Sequence, residues 1–226
     1  MTEAVGNGAE PSAAGRAAPT AAGRSAEFWG YLMWGLAGLA IAVPELASVF
    51  SLADWPTISS TIGHLQAQHA WVRLIVVFVI VVLAYYAVPQ LTMDPDPAPS
   101  TVGGRPVTAN GRITTNNASV QLLGVGYLVL AAVVLVFGVL FAAGARHMDP
   151  NTYLGAYVLY GLIALVWVVI PSVLSLVFSR DVPFPTLFRT IGYLERRAHP
   201  FAAVLLALLV VLLIHLALYP WPRVVA

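Results

Sequence analysis

Cysteine is absent from the 226-residue chain, and so is lysine; all eleven basic residues are arginine. The first absence excludes disulfides, thiolate metal sites and cysteine nucleophiles in any compartment. The second agrees with a GC-rich, bacterial coding background. Charge of either sign is scarce: Asp, Glu, Lys and Arg make up 9% of the chain, against about 25% in ordinary globular usage. Net charge is +1, so no basic footprint for nucleic acid is present. No phosphate loop, HExxH helix, nucleophile elbow or convincing catalytic triad occurs, and no enzyme is expected.

Apolar residues fill the place that charge leaves, at 59% of the chain. They gather in five continuous runs, at about 28–50, 72–88, 120–144, 153–178 and 201–219. Each comes near or exceeds the roughly 20 residues a helix needs to cross about 30 Å of hydrocarbon. The runs are continuously apolar rather than alternating, which argues against strands. The expected fold is an all-α integral membrane protein, a bundle of five transmembrane helices with short interfacial helices and a disordered N-terminal tail. The tail is 1–26, rich in Ala, Gly, Pro and Ser, and the transmembrane domain is 27–226. Ser51-Leu52-Ala53 resembles a signal-peptidase site, but the apolar run before it exceeds a signal h-region, so an uncleaved anchor is expected.

Arginine placement sets the expected orientation. With the N-terminus inside, Arg16, Arg24, Arg105, Arg112, Arg180, Arg189, Arg196 and Arg197 are cytoplasmic, and only Arg73, Arg146 and Arg223 lie outside. The positive-inside rule then gives a plasma-membrane protein with a cytoplasmic N-terminus and an outer C-terminus. Trp29, Tyr85, Tyr86 and Phe178 read as an inner aromatic belt, and Trp55, Trp71, Tyr153, Tyr219 and Trp221 as an outer one. Asn110-Gly111, flanked by Arg105–Ala109 and Arg112–Thr114, is a hairpin signal. Pro185–Arg197 reads as a short helix on the inner surface, its stripe of Leu187, Ile191 and Leu194 facing lipid. Pro171, with Ser172 and Ser175, marks a kink. Gly35, Gly38, Ala42, Gly124, Gly126, Gly138, Gly155 and Gly161 read as close-packing points between helices.

The candidate site centres on Pro44-Glu45. Glu45 falls roughly 25 Å along the first helix at 1.5 Å per residue, and a carboxylate at that depth needs a partner, protein cover or water. Pro44 opens a notch beside it by removing a helical hydrogen bond. His215, roughly 21 Å along the last helix, and Arg73 come to a similar level, so a structural Glu45–His215 or Glu45–Arg73 pair is expected. A proton relay through the same groups is the alternative. His64, His69 and His147 are candidate outer-face ligands, since imidazole suits zinc, copper and haem iron. Asp54-Trp55-Pro56, followed by Ile58, Ile62 and Leu65, has the form of a capped amphipathic helix that would cover the notch.

The leading expectation is a non-enzymatic accessory or scaffolding subunit whose partners are the lipid bilayer and other membrane subunits. A small transporter or channel using the Pro44-Glu45 notch is the alternative. A haem- or metal-binding redox subunit is the third reading; otherwise no cofactor is expected.

Overall fold

The computed structural model describes residues 26–92, 100–102, 105–107, 118–178 and 181–218. The expected tail, apart from Ala26, and the segment from Tyr219 to Ala226 lie outside the described residues. So does Asn110-Gly111.

The helices are α1 (Ala26–Val49), α2 (Ile58–Gln68), α3 (Trp71–Thr92), α4 (Ala118–Met148), α5 (Leu154–Leu162), α6 (Ile170–Val177) and α7 (Leu187–Leu218). A π-helical segment, Ile163–Val169, joins α5 to α6, so the two form one continuous span, Leu154–Val177. Among the described residues, that span, α1, α4 and α7 are long and apolar enough to cross a membrane. The fifth expected span is met only by Trp71–Tyr85 of α3, a shorter apolar helix. Large apolar side chains cover the outside of the bundle, including Phe78, Leu122, Leu140 and Val211. A patch of that extent fits hydrocarbon surroundings rather than water.

The short hairpin pairs β1 (Ser100–Val102) with β2 (Arg105–Val107), antiparallel, with Val102 opposite Arg105. The ladder therefore forms upstream of the position that Asn110-Gly111 suggested. The two residues between the strands are Gly103-Gly104 in the sequence, also a hairpin-forming pair.

The main core lies at the end of the bundle where α1 begins. Trp29, Met33, Trp34 and Ala37 of α1 pack with Ala131 of α4, Trp167, Val182 and Phe184. Val182, Pro183, Phe184 and Pro185 are all buried, so this apolar part of the connector is a plug and not a surface loop. Trp34 Nε1 donates to Pro185 O at 2.9 Å, satisfying a carbonyl that has no helical partner. Gly30 and Gly124 make room for the plug. A Cβ on Gly30 would stand 2.6 Å from Thr190 Oγ1 and 2.8 Å from Pro185 Cγ, and one on Gly124 would stand 2.5 Å from Pro183 Cγ.

Burial revises three of the sequence expectations. Trp29 (1% exposed) and Trp55 (9%) are core residues, not belt residues, whereas Trp71 and Tyr85 remain exposed. The helix expected on the inner surface is the first part of α7, wedged into the protein. Its stripe does pack, but within the protein: Ile191 is buried with Phe188 and Ala202, and Leu187, Leu194 and Leu83, Ala87 and Leu91 of α3 pack against that cluster. Thr190, Gly192 and Tyr193 are buried as well. The chain bends at Ala198 (φ −150°, ψ 63°) and continues directly into the apolar part of α7. The glycines also divide. Gly138 meets Leu159, and a Cβ on Gly155 would come within 2.7 Å of Ala142 Cα, so α4 and α5 are in backbone contact there. Gly35, Gly38, Gly126 and Gly161 have nothing within 4 Å of a Cβ, so they are not close-packing points.

The expected kink before Pro171 is a π-helical stretch. In it the Ile170 amide reaches back five residues to Leu165 O. The same pattern would direct the next amide to Val166 O, but Pro171 has none. Tyr127 Oη, from α4, donates to Val166 O instead.

Candidate functional site

At the opposite end of the bundle α1 stops in a tight left-handed turn. Ser51 adopts φ 55°, the Leu52 amide donates to Ala47 O at 2.8 Å, and the Ser51 amide donates to Ser48 O at 3.1 Å. These two bonds close the helix end in the Schellman pattern and turn the chain back over α1. Trp55 then plugs against the helix it has left: its Nε1 donates to Pro44 O at 3.3 Å, and Ser48 Oγ donates to Trp55 O at 2.7 Å.

This return places the first turn of α2 on Glu45. The first amides of a helix have no helical acceptor, and here each of two finds a side chain. Glu45 Oε2 accepts from the Ile58 amide at 2.7 Å, and Thr57 Oγ1 accepts from the Ser60 amide at 3.2 Å. A carboxylate at a helix N-terminus also interacts favourably with the helix dipole. Tyr160 Oη, from α5, donates to the same Glu45 oxygen at 3.2 Å. The notch at Pro44-Glu45 is therefore filled by α2, Trp55 and Tyr160.

No described contact joins His215 to Glu45. Its Nε2 is 2.9 Å from Ser59 Oγ, one residue beyond the amide that Glu45 holds. Glu45 and His215 thus bond to adjacent residues of α2. Arg73 is exposed on α3, and no described contact joins it to Glu45.

The histidines expected on the outer face separate as well. His64 Nδ1 is 2.6 Å from Tyr157 Oη, and its ring stacks on Tyr153 with centroids 3.9 Å apart and planes 1° from parallel. His69 is exposed near Trp71, and His147 is exposed at the end of α4. Among the described residues no three His, Asp or Glu side chains gather where they could hold a metal ion.

Comparison of the chain with protein-family models, with curated proteins and with solved structures gives no match.

Two contributors were not anticipated from the sequence. Gln66 Nε2 donates to Leu216 O at 3.2 Å, tying the end of α2 to the last turn of α7. Arg146 Nε donates to Asp54 O at 2.7 Å and its Nη1 to Thr152 O at 3.3 Å, and to Pro150 O. That arginine clasps the loop before α2 to the α4–α5 connector. Its place at the C-terminal end of an apolar helix was the available signal.

Below α2 lies a cavity of about 380 Å³. Ile58, Ile62 and Leu65 of α2 form its roof, and Ile41 of α1, Leu212 and Leu216 of α7 and the α5–π span form its walls. The amphipathic helix thus turns its apolar face inward, over the cavity. Its polar face is spent on Tyr153, Tyr157 and His215.

Proposed function

We propose that this chain is a multi-pass protein of the plasma membrane that acts through assembly, as a non-enzymatic accessory or scaffolding subunit. In this reading α3 joins the four longer helices as a fifth span, the N-terminus is cytoplasmic and the C-terminus lies outside. The observation that carries it is the bonding of Glu45. An intramembrane acid with a free face in a wetted notch would favour proton or ion movement. Glu45 instead fastens α2 to α1, with Tyr160 on the same oxygen. His215 and His64 do the same for α7 and α5. The polar groups of this end act as struts of a crosspiece, which supports a structural role over transport through the Pro44-Glu45 notch.

The test is the protein mass of the complete chain extracted from its own membranes in mild detergent. Light scattering should give a protein mass well above the 24.0 kDa of one chain. A single-chain mass, together with ion or solute flux in vesicles that Glu45→Gln abolishes, would replace assembly by transport.

A further inference from the structure

We propose that the cavity beneath α2 is a binding site for one acyl chain of a membrane phospholipid, with α2 as its cover. The site goes beyond an assembly role and depends only on the membrane setting.

The wall chemistry selects hydrocarbon. Three lining residues carry side-chain oxygens, and all three are engaged: Thr61 Oγ1 donates to Thr57 O at 2.7 Å, Tyr157 Oη is 2.6 Å from His64 Nδ1, and Tyr160 Oη donates to Glu45. What remains toward the space is aliphatic side chains and ring carbon. A ligand with a polar ring or a carbonyl would have to desolvate its own groups there without replacing their hydrogen bonds. A saturated or unsaturated chain has none to lose.

Size and shape agree. A cavity of roughly 150 Å³ lined by aliphatic residues admits benzene and stays dry; this one is about 380 Å³. It follows the α5–π span from Tyr157 to Val168, a length of roughly 16 Å at helical rise, which is the form of a chain rather than of a compact ligand.

Access is from the side. Gly161, Ala164 and Leu212 line the cavity and are also exposed, so its mouth opens on the outward surface between the α5–π span and α7. In the middle of an apolar span that surface meets lipid, and the lipid tail is the molecule present there in excess. Gly161 keeps the mouth wide, since a Cβ at this position has no atom within 4 Å.

The experiment is native mass spectrometry of the full chain released from vesicles of palmitoyl-oleoyl phosphatidylglycerol. The wild type should retain one phospholipid at detergent levels that strip the rest. Gly161→Phe should lower that retention at least tenfold by placing a ring in the mouth. Gly126→Phe, on α4 and equally free of neighbours, should retain it. Should Gly161→Phe fail to fold, Ala164→Phe makes the same test from the next turn. Equal retention by the filled and control variants would overturn the site. So would a dimer that Gly161→Phe dissociates, which would put a second copy of the chain in the cavity. A chain recovered in membranes that retains no lipid would also end it, while leaving the assembly reading intact.

Discussion

Glu45 and Ile58 are 13 residues apart in sequence, and the carboxylate of the first accepts the backbone amide of the second at 2.7 Å. This bond decides what the Glu45 side chain does, because it commits the carboxylate to holding a helix in place. Glu45→Gln keeps an acceptor oxygen for the amide and should be mild. Glu45→Leu leaves the Ile58 amide and the Tyr160 hydroxyl unsatisfied and should cost about 1–3 kcal/mol. Thermal unfolding in detergent, with limited proteolysis at α2 as a local readout, would check it. Equal tolerance of both changes would show that Glu45 does not brace α2.

The Tyr127 hydroxyl stands in for a missing amide. Tyr127→Phe should lower stability by about 1–3 kcal/mol, because Val166 O is left without a partner. Pro171→Ala restores an amide at the position that the π pattern would use. In that background Tyr127→Phe should cost clearly less, a coupling that a double-mutant cycle measures. Additive effects would mean that the two residues act separately.

The glycines should divide by what faces them. Gly155→Ala drives a Cβ into the α4 backbone at Ala142 and should destabilise by about 1–3 kcal/mol. Gly35→Ala meets open space and should be neutral or stabilising by up to ~1 kcal/mol through helix propensity alone. Unfolding midpoints of the two variants, measured side by side, give the answer. Equal losses would contradict the packing described here.

Much of the helical frame was legible because its signal is local. Long apolar runs need no knowledge of neighbours, and the helix ends fall within a few residues of the expected ones, apart from the start of α7. The place of Glu45 near the end of α1 followed from counting residues, and the inward face of α2 from the spacing of Ile58, Ile62 and Leu65. Partners were not legible in the same way. Which group meets Glu45 depends on the left-handed turn at Ser51 and on Trp55 folding back to Pro44, and neither leaves a periodic pattern. Glycine spacing cannot say whether another helix is opposite, so Gly155 and Gly35 look alike in sequence. The plug at Val182–Pro185 did carry a signal: Val-Pro-Phe-Pro is an apolar stretch with two prolines, poorly suited to a surface.

Orientation has its own test, which the absence of native cysteine makes clean. Ala67 and Asn151 are exposed at the α2 end of the bundle. Single cysteines there should react with an impermeant maleimide in intact cells, and one at Ser12 should react only after lysis. The reverse pattern would invert the proposed topology.

The hydrogen bond between Trp34 and Pro185 joins positions 151 residues apart, and that separation imposes an order on biosynthesis. At about 5–20 residues per second, the first helix is made roughly 8–30 s before its indole can meet the plug. Throughout that interval Gly30 and Trp34 lack Pro185 and Thr190, the residues against which they stand in the finished fold. Newly made α1 is therefore a natural client for whatever insertion machinery shelters incomplete helices, and truncations short of Pro185 should stay in its keeping.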